Sequence, residues 1–243
     1  MAFIQGCALF QAPRFPDDAQ QRRSFSQAIS QAPEIRTQFD VALSKSVGVF
    51  VGPECDQVYS DGEMFRAAPG RKHAVVMGIG ASILDGTYVI SANHLFESGE
   101  EVCIVGRGDN EVFRSAASVV WCSERLDLAI LQLDVHFPTF FSWSDSMELN
   151  DPVWTIGRQA PVGGTLDWIP DTDADKSPFI WTSLPLTFGD SGSPLIDSDG
   201  YLVGTNVLSA SESLWSADIT RSAAARPPQI VRSGNFQLVC DAT

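Results

Sequence analysis

Gly189-Asp190-Ser191-Gly192-Ser193-Pro194 decides how this 243-residue chain is read. A serine set between two glycines fits a tight turn that exposes a hydroxyl nucleophile and aims backbone N–H groups at a developing oxyanion. A serine hydroxyl is a weak nucleophile at neutral pH, so the turn needs a general base and a carboxylate to orient that base. Upstream, Ser91-Ala92-Asn93-His94 closes the apolar run Tyr88-Val89-Ile90, and Asp127 leads into the strand-like Leu128-Ala129-Ile130-Leu131. The other two histidines have no comparable setting: His73 lies beside basic residues and His136 near Pro138. Asp109 and Asp134 are rivals for the acid. An orienting carboxylate must be held near the base and away from water, which suits an Asp entering Leu128 to Leu133 better than one in the Gly106 to Asn110 turn. His94, Asp127 and Ser191 are therefore the candidate catalytic residues, in that chain order.

The order and the three local contexts resemble the chymotrypsin-like (trypsin-like) serine proteases, where motifs like GDSGSP, TAAH and DLAL carry nucleophile, base and acid. Subtilisin-like and α/β-hydrolase enzymes place their triads in other orders. Within the superfamily the chain is most similar to an HtrA/DegP-type protease domain, because Asn93 precedes His94 and Gly204-Thr205-Asn206 resembles the Gly-Ile-Asn segment of those enzymes. The likeness runs from about Ser46 to Ile219. It implies an all-β fold of two antiparallel six-stranded β-barrels with the active site in the cleft between them. His94 and Asp127 would come from the first barrel and Ser191 from the second.

The same resemblance implies a serine endopeptidase that hydrolyses polypeptide through an acyl-enzyme, with the Gly189 and Ser191 amides as the oxyanion hole. Pro185, Thr187, Asn206, Leu208 and Ser209 map to the substrate pocket. Pro185 occupies the position where enzymes cutting after Arg or Lys carry an acid, so an uncharged, small or medium side chain is expected there instead. In digestive relatives the acid before the nucleophile pairs with a freshly cut amino terminus beginning Ile-Val-Gly-Gly, and no such segment precedes the barrel here. Either Asp190 finds an internal donor, or the oxyanion loop forms only when a substrate or partner orders it. Loop ordering is expected in preference to zymogen cleavage.

Texture along the chain agrees with two barrels. Short apolar runs broken by turn residues occupy Val47 to Val51, Val75 to Leu84, Tyr88 to Ser91, Val102 to Val105, Val112 to Trp121 and Leu128 to Leu133. A second series occupies Val153 to Ile156, Gly164 to Trp168, Phe179 to Thr182, Pro194 to Ile196, Leu202 to Leu208 and Leu214 to Ile219. Such spacing predicts barrels or sandwiches, and Asp85-Gly86 predicts a hairpin. The expected organisation is an N-terminal extension over 1–45, a first barrel over 46–150, a second over 151–225 and a tail over 226–243. Asp17 to about Ala32 predicts a short helix, a candidate docking arm for a regulatory partner. The tail after Arg226-Pro227-Pro228 leaves no room for the PDZ domain that commonly follows an HtrA protease domain.

Composition narrows the partners. A formal charge of −14 repels phosphate backbones and anionic lipid at long range, so neither nucleic acid nor membrane is expected. Five cysteines without C-x-x-C spacing predict no metal site, and no cofactor is expected. Two disulfides usual in secreted relatives are missing, since Leu95 follows His94 and Thr187 stands at the pocket wall. Met1 to Phe10 lacks a basic stretch followed by an apolar one. Together these predict a cytoplasmic location. All three triad members are present, against a catalytically silent binding or scaffolding module. A dedicated single-substrate processing protease in a defence or viral system is the other alternative.

Overall fold

The structure is a computed structural model that describes residues 33–51, 58–60, 65–67, 75–96, 101–107, 112–144, 146–157, 161–169, 179–187, 189–211, 220–234 and 239–241. The helix expected over Asp17 to Ala32 lies outside them. A helix does occur in the N-terminal extension: α1 (Pro33–Lys45) starts on a proline, whose fixed φ and missing N–H suit a first helical turn. Phe39, Ala42 and Leu43 recur at helical spacing and turn inward. The ring of Phe39 packs on Trp154, with centroids 6.4 Å apart.

Helix α1 runs without a break into β1 (Ser46–Val51). The first barrel is built from β1, β4 (Val75–Ile83), β5 (Tyr88–Ala92), β6 (Val102–Arg107), β7 (Val112–Ser123) and β8 (Leu128–Leu133), in the order β7-β6-β1-β4-β5-β8 with β7 pairing back to β8. Strand β7 serves both seams because it shifts register between Val119 and Trp121, and such a bulge bends a strand round a corner. The hairpin expected at Asp85-Gly86 joins β4 to β5. Gly86 has φ +82°, and a Cβ there would stand 1.9 Å from the Phe137 carbonyl oxygen, so only glycine fits. Hydrogen bonds from Thr87, first from its hydroxyl, hold the Asp85 carboxyl below its ordinary range. Among the described residues, strands β2 (Val58–Ser60) and β3 (Phe65–Ala67) pair with each other alone.

The second barrel closes as β10-β11-β14-β13-β12-β9, from β9 (Pro152–Ile156), β10 (Pro161–Trp168), β11 (Phe179–Thr182), β12 (Pro194–Asp197), β13 (Leu202–Ser211) and β14 (Thr220–Ala225). Both barrels are thus six-stranded and antiparallel, as the motifs imply. One strand differs from expectation. The apolar run Leu214 to Ile219 lies outside the described residues, and the closing strand is the small, polar Thr-Arg-Ser-Ala-Ala-Ala of β14. Ser222 and Ala223 to Ala225 are buried between β11 and β13, where larger side chains would crowd the crossing.

Each barrel has its own interior, centred on Val47, Ile104, Leu131 and Phe137 in the first and on Val162, Leu166, Ile180 and Leu195 in the second. Between them lies a third apolar layer that joins Ile83, Ile90, Leu128 and Ile130 to Ile156, Ile196, Leu202 and Ala225. The tail does not simply trail away. After a short helix α2 (Gln229–Arg232), β15 (Val239–Asp241) pairs in parallel with Trp121 to Ser123 of β7, which adds a seventh strand to the first sheet. Cys103 and Cys122 are both disulfide-bonded. That chemistry runs against the reducing compartment expected from the sequence.

Candidate active site

Antiparallel register brings the candidate base and acid together. Ala92 at the end of β5 pairs with Leu128 at the start of β8, so the residues just outside that pair, Asn93 and Asp127, meet across the barrel rim. The Asn93 N–H donates to the Asp127 carbonyl at 2.9 Å. One Asp127 carboxylate oxygen accepts the His94 backbone N–H at 2.8 Å, and the other lies 2.6 Å from His94 Nδ1. A carboxylate only accepts, so Nδ1 carries the proton and Nε2 is left as the acceptor. Asp127 sits at φ 52°, a backbone conformation unusual for a residue with a side chain. Its bonds to two successive backbone groups and the ring hold it there. The pair lies at a surface: the side chains are 45% exposed for His94 and 26% for Asp127.

Ser191 reaches the same rim through glycines. Its carbonyl accepts the Ile79 N–H at 2.9 Å, which ties the second barrel's turn to β4 of the first. A Cβ on Gly78 would stand 2.4 Å from the Ser191 carbonyl oxygen and 2.6 Å from Leu95 Cδ1, so the nucleophile turn and the residue after His94 are at most 5.0 Å apart at those atoms. Gly192, at φ +81°, would press a Cβ to 2.1 Å from both Ser91 Oγ and the Ile79 carbonyl oxygen. Gly78 has no place among the sequence motifs, and Ser91 enters them only as the start of the segment leading to His94. An isolated glycine in an apolar strand was the available sign of a close backbone approach.

The turn is braced from below. Asn206 is 0% exposed; its carbonyl accepts the Gly192 N–H at 2.7 Å, and its own N–H donates to the Ser193 carbonyl at 2.9 Å. Its side-chain Nδ2 lies 3.1 Å from Thr155 Oγ1 and 3.1 Å from Ser193 Oγ. Asp190, also 0% exposed, accepts the Thr187 N–H at 2.8 Å and the Thr187 hydroxyl at 3.2 Å. Asp190 therefore has an internal donor, the first of the two options its position left open. Among the described residues, the Gly189 and Ser191 N–H groups meet no acceptor, and the Ser191 hydroxyl makes no hydrogen bond. Catalytic hydrogen bonds of this kind often tighten only when substrate binds.

The residues expected at the pocket fall into different settings. Pro185 is buried, Thr187 is half-buried against Asp190, and Asn206 lies wholly beneath the turn. Leu208 and Ser209 occupy β13 opposite Ala223 and Ser222. Thr155, which completes the Asn206 network with Ser193 of the opening motif, carries no sequence signal beyond its ordinary presence in a strand.

The trypsin-like peptidase domain family matches residues 78–204, just over half of the chain. The chain belongs to that family. Similar proteins include probable periplasmic serine endoproteases, DegP-like, from Hahella chejuensis (25% identical, over 65% of this chain and 36% of that protein) and Marinomonas sp. (28%, over 58% and 31%). The chain spans about a third of the length of the curated relatives it matches. Among solved structures, the HtrA-type protease AlgW with decapeptide aligns with a TM-score of 0.55 at 18% identity, covering 77% of this chain and 62% of that one. The serine endoprotease from Yersinia pestis gives 0.57 at 17%, covering 82% and 64%. The MamO protease domain from Magnetospirillum magneticum gives 0.55 at 17%, covering 81% and 98%. These bear out the HtrA-type likeness read from Asn93-His94 and Gly204-Thr205-Asn206.

The cytoplasmic expectation is corrected. The relatives are named periplasmic, and the bridged Cys103 and Cys122 agree with an oxidising compartment. That expectation rested on the first ten residues and on two absent bridges. The bonded cysteines here lie elsewhere, in β6 and β7.

Proposed function

We propose that this chain is a serine endopeptidase working through a Ser191–His94–Asp127 triad and an acyl-enzyme, in an oxidising compartment such as the periplasm. The observation that carries the reading is the double grip of Asp127 on His94, at 2.8 Å and 2.6 Å, on the rim where the Ser191 carbonyl meets β4. With Nδ1 donating to Asp127, His94 Nε2 takes the hydroxyl proton of Ser191 as Oγ bonds to the substrate carbonyl carbon. The carbonyl oxygen becomes an oxyanion, received by the Gly189 and Ser191 N–H groups, each contributing on the order of 3 kcal/mol. The imidazolium then gives its proton to the leaving amine. Water, deprotonated by the same nitrogen, releases the acid and regenerates Ser191. Asp127 fixes the tautomer and stabilises the imidazolium throughout.

Polypeptide is the substrate class, and an uncharged, small or medium side chain is the proposed preference, since Pro185 stands where an acid would attract Arg or Lys. A fluorophosphonate probe tests the reading: wild type takes one label at Ser191 and Ser191→Ala takes none. Failure of wild type to label, alone and with substrate peptides present, would favour the silent binding module.

A further inference from the structure

The Asp190 N–H donates to the Thr187 carbonyl at 3.0 Å. Gly189, just before Asp190, is at φ +93°. Rotation about that φ sets where the Gly189 N–H points relative to Asp190. Holding Asp190 in place therefore bears directly on the N–H offered to an oxyanion.

We propose that Thr187 is a positioning residue that sets the oxyanion turn from within the chain, by clasping Asp190 with its amide and its hydroxyl. The clasp joins the first and last residues of the turn through a carboxyl group with no solvent exposure. The Gly189 N–H is held in one orientation, and no newly cut amino terminus is needed to hold it. The entry to the first barrel agrees. There α1 passes directly into β1, with Ala42, Leu43 and Ser46 buried and the Ser46 hydroxyl donating to the Ala42 carbonyl at 2.9 Å. Releasing a terminus at that point would unpack the junction.

This inference rests on the peptidase reading and is tested separately from it. In the full chain, uncut, Thr187→Val and Thr187→Ala both remove the hydroxyl, whereas Thr187→Ser keeps it. Losing one hydrogen bond to a charged group corresponds to about a tenfold change. The two hydroxyl-free variants are expected to lower kcat and the fluorophosphonate labelling rate about tenfold. Affinity for a peptide aldehyde, whose adduct places an oxyanion in the hole, should fall by the same factor, with KM little changed. Thr187→Ser should recover most of the loss. Wild-type kcat and aldehyde affinity in Thr187→Val or Thr187→Ala would overturn the proposal, as would a Thr187→Ser variant no better than either. An uncut wild type that labels only after cleavage ahead of β1 would also overturn it. A wild type that never labels sinks the peptidase reading itself.

Discussion

The two halves of the site are built by different means. On the first barrel, one side chain does most of the work: Asp127 grips a backbone N–H and an imidazole, and strand register alone puts it opposite them. On the second barrel, the candidate nucleophile rests on buried Asp190, Ser193, Asn206 and Thr155 with half-buried Thr187, and on glycines thin enough to let two backbones touch. The first half can be damaged at one residue. The second can be damaged at many, most of them remote from the reacting atoms.

Three substitutions sharpen that contrast. Asp127→Asn keeps the shape but removes the preference for a donating Nδ1, so kcat should fall by about 10⁴-fold with Tm close to wild type. Stopped-flow hydrolysis of a peptide ester beside a thermal melt would check this, and an unchanged kcat would break the assignment of the acid. Gly192→Ala forces a Cβ into Ser91 Oγ and the Ile79 carbonyl at positive φ. Overpacking of this kind is expected to destabilise by about 1–3 kcal/mol in urea unfolding. Displacement of Ser191 should lower kcat beyond what that stability loss explains, and a wild-type unfolding midpoint would refute the close approach of the barrels. Asn206→Leu strips the donors to Thr155 and Ser193 and leaves buried oxygens unsatisfied, for a loss of about 1–3 kcal/mol. Here kcat should drop less than for Gly192→Ala, because the Asn206 backbone still holds Gly192 and Ser193. Equal unfolding midpoints would show that the frame below the turn is dispensable.

The sequence displayed the first half of the site more openly than the second. His94 and Asp127 each end or begin an apolar run, so their meeting followed once the runs were read as adjacent strands. Ser191 was legible from its glycines. Its supports are less so: Ser193 stands in the same motif and Thr187 maps to the pocket, but neither these nor Thr155 shows in sequence which partner it meets, and only folding makes them neighbours. Asn206 was read as a pocket residue from family likeness, and folding turns its amide into the floor under the nucleophile. In the fold, β14 lacks the alternation and bulk that mark a strand in sequence, because its place between β11 and β13 needs smallness. Helix α1 has the helical spacing in Phe39, Ala42 and Leu43, but the Gln-rich stretch before it has the same spacing in Phe25 and Ile29, so periodicity alone does not choose between them. Partners for cysteines cannot be deduced from spacing alone, so the bridging of Cys103 and Cys122 emerged only in three dimensions.

The chain's two flanking segments cross over between the halves. Helix α1, which feeds the first barrel, lays Phe39 on Trp154 of the second, and the segment leaving the second barrel sends β15 back to the first. Each barrel thus lends surface to its neighbour through a strap belonging to the other. Melting either one strips cover from its twin, so the pair should come apart in a single cooperative transition. The rim that carries His94, Asp127 and Ser191 is then tied at both flanks, and its geometry should outlast fluctuations that would separate two barrels joined by a linker alone.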